Sequence, residues 1–346
     1  MREYTMHKII NMDSRNMSTI KDKSVNLIVT SPPYPMIDMW DNMFFSQNNE
    51  IEFDFAKKKY LKAYEKMHNI LNDTWRECDR VLGDNGFICI NIGDATRTFD
   101  ETFQLFSNHS KIIDFFFNLG YSVLPDILWR KQSNSPNKFM GSGMYPAGAY
   151  VTYEHEYILI FRKGGKRIFK NNDKLNRQKS AYFWEERNIW FSDLWDIKGT
   201  SQFINKKIDS RERNASFPFE IPYRLVNMFS VKGDTVLDPF CGFGTTNLAC
   251  IASERNSIGF EIDKQIATEA QNKVKNISIN TINSFIENRL QSHYAFIKSL
   301  PEDKVEKCYT NVNHNFLVKT RQETNLEIKK LGDKILEKDF VAFTYI

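Results

Sequence analysis

Two short segments carry residue types able to do chemistry. In Val236-Leu237-Asp238-Pro239-Phe240-Cys241-Gly242-Phe243-Gly244-Thr245-Thr246 an apolar run delivers an acid, a turn with two glycines and then the start of a helical pattern. Glycine has no side chain to collide with a ligand, so such a turn lets a nucleotide-like molecule approach the backbone. Glu261 ends the next apolar run, 23 positions on from 238 to 261. That matches the acid, ~20 positions along, that bonds ribose hydroxyls in nucleotide-binding α/β units. The third glycine of a dinucleotide loop is missing, and so is the lysine of a phosphate loop. NAD and ATP therefore fit poorly, and a nucleoside without a phosphate tail, such as S-adenosyl-L-methionine, fits better.

The second segment is Thr30-Ser31-Pro32-Pro33-Tyr34. Two successive prolines fix the backbone, so the Ser31 hydroxyl and the Pro32 carbonyl point one way with little entropy left to lose. Both can accept a hydrogen bond from an exocyclic amino group, and Tyr34 offers a flat face to stack on. Standing alone, this stretch would read as a proline-rich turn.

The surrounding pattern supplies elements to position both segments. Val25 to Thr30 reads as a buried strand that the prolines terminate. Residues 57 to 82 show helical spacing, stopped by Gly83-Asp84-Asn85-Gly86, and Phe87 to Ile92 is the next strand. A helix is predicted over Ile112 to Leu119, then strands around Tyr121 to Trp129 and over Tyr157 to Phe161. Between them, residues 131 to 148 have no periodicity and are rich in Ser, Asn, Pro and Gly. A helical pattern runs from Phe217-Pro218 to Phe229, then strand Thr235 to Asp238, helix Thr245 to Ser253, strand Ser257 to Glu261, and a helix from Asp263. Alternation of this kind predicts an α/β fold with a mostly parallel sheet covered on both faces. Beyond Asn276 the chain reads as helical and polar, over Phe285 to Ile297 and Asn325 to Leu336.

Composition narrows the class. With 346 residues, 41% hydrophobic and 26% charged, the chain can bury a sizeable core and is not a disordered tail or a disulfide-dense module. Its five cysteines form no CxxC pair and its six histidines show no ligand spacing, so no metal site is expected. No run approaches the ~18 apolar residues of a membrane span, and the first residues lack the apolar core of a signal peptide. A soluble, cytoplasmic protein is expected. Net charge is only +4, but Arg162 to Arg213 holds 14 Lys/Arg against 7 Asp/Glu, which suggests a surface for a polyanion.

Together the two segments resemble the DNA amino-methyltransferases, whose catalytic loop reads Ser/Asp/Asn-Pro-Pro-Tyr and whose cofactor loop reads Asp-Pro-Phe-x-Gly-x-Gly-Thr-Thr. The catalytic loop comes first here, an order that resembles the circularly permuted β group, with a target-recognition region between the loops. The resemblance covers roughly residues 7 to 275 and implies a Rossmann-like methyltransferase domain. Its halves would be 1–161 (catalytic) and 214–275 (cofactor-binding), with target recognition in 162–213 and a helical extension over 276–346. It implies S-adenosyl-L-methionine as cofactor, bound by Asp13, Phe217, Pro218, Asp238, Pro239, Phe240, Gly242, Gly244, Thr245, Thr246 and Glu261, with Thr245 and Thr246 near the methionine end. Ser31, Pro32, Pro33 and Tyr34 would form the pocket for a base flipped out of double-stranded DNA. Ser-Pro-Pro-Tyr members are mostly cytosine-N4 enzymes, so cytosine N4 is the expected target, with adenine N6 the alternative. A place in a restriction-modification system, with a cognate endonuclease as partner, nucleoid association and an open oligomeric state that allows a homodimer belong to the same expectation. An RNA or protein methyltransferase would put the cofactor loop first, and a catalytically idle DNA-binding protein would not need an intact one. Methylation at cytosine carbon 5 would need a Pro-Cys nucleophile, which the sequence lacks.

Overall fold

The computed structural model describes residues 4–131, 144–148, 150–198 and 217–346. Residues 132–143 of the unpatterned loop, residue 149, and 199–213 of the expected recognition region lie outside the described residues. The strands are β1 (Tyr4–Asn11), β2 (Val25–Thr30), β3 (Leu82–Ile92), β4 (Ala95–Phe99), β5 (Thr102–Phe106), β6 (Ser122–Arg130), β7 (His155–Arg162), β8 (Leu194–Trp195), β9 (Thr235–Asp238) and β10 (Asn256–Glu261). Four follow in the C-terminal part: β11 (Tyr309–Thr310), β12 (Leu317–Val318), β13 (Leu331–Leu336) and β14 (Val341–Tyr345).

Ten of these form one sheet in the order β13-β14-β1-β10-β9-β2-β3-β7-β6-β8. Its centre, β1 to β3 through β10, β9 and β2, is parallel throughout. Successive residues of the central strands turn to opposite faces, as the pleat requires. Leu27, Val29, Cys89, Ile158 and Ile160 pack with Ile221, Leu225 and Val226 of helix Glu220–Phe229. Their neighbours Ile28, Ile88, Ile90, Leu159 and Phe161 pack on the other side, against helices Tyr60–Val81 and Asn108–Asn118. Helix Tyr60–Val81 buries Ala63, Tyr64, Met67, Leu71, Trp75 and Cys78, a three-to-four-residue spacing that keeps one stripe on the sheet.

The crossovers fix where a ligand can bind. From β2 the chain passes through helix Tyr60–Val81 to β3 on one side, and from β9 through helix Thr245–Ile251 to β10 on the other. β2 and β9 are themselves neighbours, with Leu27 opposite Val236 and Ile28 opposite Leu237. The order of the strands therefore reverses between them, and a crevice opens beyond their carboxyl ends, as at the switch points of other open α/β sheets.

The C-terminal expectation needs correction. Helix Ile279–Lys298 is present, but Asn325 to Leu336 is not a helix: residues 331–336 are strand β13, which pairs with β14, and β14 pairs antiparallel with β1. Leu331 and Ile335 sit four apart and so mimic a helical face, yet Gly332 leaves no room for a side chain against Thr344, 2.8 Å from where its Cβ would stand. The edge of β1 offered a ladder that local spacing does not encode, and 276–346 thus completes the sheet. Among the described residues no helix is long and apolar enough to cross a membrane.

Candidate active site

Thr30 and Asp238 end the two neighbouring strands, and the Thr30 hydroxyl donates to Asp238 Oδ1 at 2.6 Å. Thr246 Oγ1 donates to the other carboxylate oxygen at 2.6 Å, and the Phe240 backbone N–H adds a third bond at 3.1 Å. Burial still dominates, pushing the Asp238 carboxyl up to about 6. The turn behind it has glycine at two left-handed positions, Gly242 with φ +48° and Gly244 with φ +76°, and the Gly244 backbone begins helix Thr245–Ile251. Gly259 on β10, not anticipated from the sequence, lets the turn close on the sheet, because a Cβ there would lie 2.8 Å from Cys241 Sγ.

Glu261 ends β10 beside this turn. Its oxygens accept from the Gly242 N–H at 3.1 Å and the Asp263 N–H at 2.9 Å, while burial raises its carboxyl above the ordinary range. Asp13 follows β1, and both its oxygens are held by Arg15, whose Nε lies 2.9 Å from Oδ2. Burial raises the Asp13 carboxyl, and the hydrogen bonds and charge of Arg15 more than reverse that, leaving it below the usual range.

These groups converge on one cavity of about 420 Å³. Asp13, Ser31, Pro33, Phe217, Asp238, Pro239, Phe240, Gly242, Thr245 and Glu261 line it. Pro32, Tyr34, Pro218, Gly244 and Thr246 do not. Thr246 stands behind the wall and holds Asp238. The sequence did not point to Trp40 and Met43, which close one side from the segment after the proline loop, or to Thr74 on helix Tyr60–Val81. The volume suits a nucleoside-sized ligand. Carboxylates that can accept from ribose hydroxyls, a glycine turn and flat apolar walls for a base are groups that suit S-adenosyl-L-methionine.

The proline loop is held from outside the cavity. Tyr34 Oη donates to Glu156 Oε2 at 2.9 Å, and Ser31 Oγ lies 3.0 Å from Tyr34 Oη. Asn91 Nδ2, on β3, donates to Tyr34 Oη at 2.8 Å and to Glu156 Oε2 at 2.7 Å. Lys131 Nζ pairs with Glu156 Oε1. Burial and the nearby Glu156 charge push the Tyr34 phenol far up, so it stays protonated. The Tyr34 ring lies on the Gly93 backbone, where a Cβ would come within 2.9 Å of Cε2. Asn108, fully buried, donates from Nδ2 to the carbonyls of Pro35 at 3.0 Å and Gly93 at 2.9 Å.

The beginning of the basic stretch, from Arg162 to Lys179, stands at the opposite end of the sheet, whereas β8 pairs beside Leu128 and Trp129 toward the cavity end. β7 runs antiparallel to β3 and ends with Arg162 opposite Phe87, at the amino end of the parallel strands. Lys163 pairs with Asp79 at 2.8 Å and Arg167 with Asp234, just before β9, at 2.6 Å. Lys179 pairs with Glu327 at 3.2 Å. Three of the ten Lys/Arg in the described part of the stretch are thus matched by acids from distant parts of the chain.

The family model N6_N4_Mtase, described as DNA methylase, matches residues 25–272. Type II methyltransferase M.MthZI of Methanothermobacter thermautotrophicus is 49% identical over 344 residues, covering 98% of this chain and 95% of the relative. Type II methyltransferase M.MjaI of Methanocaldococcus jannaschii is 53% identical over 281 residues, covering 78% of this chain and 91% of that one. Among solved structures, a DNA modification methylase of Thermus thermophilus complexed with S-adenosyl-L-methionine superposes with a TM-score of 0.60 at 29% identity, covering 77% of this chain and 94% of its own.

Proposed function

The chain belongs to the N6/N4 DNA methylase family, and we propose that it methylates N4 of cytosine in double-stranded DNA, as the modification enzyme of a type II restriction-modification system. S-adenosyl-L-methionine, when bound, supplies a methyl electrophile on a sulfonium. The observation that carries the reading is the placement of Ser31 in the same cavity as Asp238 and Glu261, so that an amine acceptor and the cofactor's cradle share one space.

An exocyclic amine is a poor nucleophile because its lone pair is delocalised into the ring. Ser31 Oγ and the Pro32 carbonyl would accept its two hydrogens, favour a pyramidal nitrogen and leave the lone pair free. The same acceptors stabilise the positive charge that grows on nitrogen, and the proline-fixed backbone supplies orientation before the reaction begins. Glu261 would take the ribose hydroxyls, with Asp13 and Arg15 beyond it. Asp238 would act through the turn, which its three hydrogen bonds hold in shape. The target base must leave the duplex to reach Ser31, at a cost of about a few kcal/mol in stacking and pairing. We assign DNA recognition to the cavity side of the sheet, away from the paired charges of Lys163, Arg167 and Lys179.

Single-turnover transfer of labelled methyl to DNA, followed by mass analysis of the nucleosides, tests this. N4-methylcytosine is the expected product, and N6-methyladenine would keep the mechanism but replace the base. Ser31→Ala should slow transfer by roughly 10²–10³ while calorimetry shows cofactor affinity unchanged. Near-normal transfer by that variant would remove the proline loop from the chemistry.

A further inference from the structure

We infer that Glu156 is the terminal proton acceptor of the methyl-transfer reaction, reached from Ser31 through Tyr34; this rests on the amino-methyltransferase reading above. Of the five groups in the network, Ser31 alone lines the cavity, while Tyr34, Asn91, Glu156 and Lys131 lie behind it. The hydrogen-bond directions are set by elimination. Tyr34 has one proton and gives it to Glu156 Oε2. Ser31 must then donate to Tyr34 Oη, across 3.0 Å. One Ser31 lone pair faces Asn91 Nδ2 at 3.4 Å, the other is left for the amine, and the chain of donors points one way, from cavity to carboxylate.

Glu156 is only 7% exposed. Lys131 and Asn91 are its polar partners there, as a buried acid needs. Lys131 occupies Oε1, which leaves Oε2 for Tyr34. As the amine nitrogen forms its bond to the methyl carbon, the bonding pair stays on sulfur and the nitrogen carries one proton too many. That proton passes to Ser31 Oγ, the Ser31 proton to Tyr34 Oη, and the Tyr34 proton to Glu156 Oε2. One N–H bond breaks with its electrons returning to nitrogen, and one carboxyl O–H bond forms. No oxidant, metal or further reactant enters. The proton is later released to solvent as product leaves. Glu156 touches neither base nor cofactor and acts through Ser31.

Glu156→Gln preserves size and an acceptor for Tyr34 but removes the proton sink. In single-turnover transfer to duplex DNA it should be slower by roughly 10²-fold, with calorimetric cofactor affinity and fluorescence of a flipped 2-aminopurine unchanged. Infrared difference spectra on turnover should show a carboxylic-acid band in the wild-type chain that Glu156→Gln lacks. Tyr34→Phe, which cuts the middle link, should lose the same band. Adding Asn91→Asp to Glu156→Gln returns a carboxylate beside Tyr34 and should recover at least part of the rate, which a purely structural role of Glu156 would not allow. Wild-type rates in Glu156→Gln, or a band that persists in it, overturn the relay alone. A wild-type chain that binds the cofactor but methylates no DNA overturns the methyltransferase reading and the relay with it.

Discussion

The glycine turn after β9 and the proline loop after β2 leave the same edge of the sheet, side by side, yet they are held in opposite ways. The turn is largely self-contained. Asp238 takes donors from Phe240 and Thr246 within eight residues, and Gly244 supplies the left-handed backbone that starts the helix. The loop is held by strangers: Asn91 from β3, Glu156 from β7, Lys131 after β6 and Asn108 from a helix that follows the β4–β5 hairpin. Local bonding makes a motif that a linear sequence displays. Long-range bonding makes a site whose second half is invisible until the sheet is assembled.

If that contrast is right, damage to the turn should abolish ligand binding without touching the loop. Gly244→Asp has the largest expected effect. A non-glycine residue at φ +76° is strained by about 1–3 kcal/mol, its Cβ would press Ile9 Cδ1 at 3.2 Å, and its charge joins Asp238 and Glu261. Calorimetry should show cofactor affinity reduced by roughly 10²-fold or more, while circular dichroism of the fold survives. Retained affinity would mean that the turn does not shape the cavity.

Damage to the loop's support should do the reverse. Asn108→Ala leaves the Pro35 and Gly93 carbonyls and His68 Nε2 without a buried partner, and each such group costs about 1–3 kcal/mol. Denaturant unfolding should move to lower concentration and methyl transfer should slow, while cofactor affinity holds. Loss of cofactor binding in Asn108→Ala would show that the two halves are not separable.

The same contrast explains what was legible. Asp238, Gly242, Glu261 and Ser31 stand out in the sequence because residue type and spacing carry their roles. Strand β9 is bounded by the residues expected, since apolar run and turn signal coincide. Lys131, Asn91 and Glu156 carry no local signal: a strand Asn, a strand Glu and a Lys at the start of an irregular loop look like ordinary surface residues. The charge of the basic stretch is only partly legible for a related reason. Charge is counted along the chain, but Lys163, Arg167 and Lys179 meet Asp79, Asp234 and Glu327 only in three dimensions. Strand β13 was hidden likewise, its ladder partner lying after it and β1 lying some three hundred residues before it.

The smallest expected effect asks whether the turn's anchor acts by charge or by shape. Asp238 is 2% exposed, and burial raises its carboxyl to about 6 even with three donors opposing the shift, against about 4 for an exposed aspartate. The fold therefore binds this proton more tightly than the unfolded chain does. Its contribution to stability is fully present below pH ~4 and is lost as pH rises through about 6, so at neutral pH the fold carries the cost of the buried charge. Asp238→Asn removes the titration but keeps the size and one acceptor. Unfolding free energies measured from pH 4 to 7 should fall more steeply for the wild-type chain than for Asp238→Asn, by about 2–3 kcal/mol across the range. Parallel curves would mean that Thr30, Thr246 and the Phe240 N–H fully offset desolvation, and that the turn is anchored by shape alone.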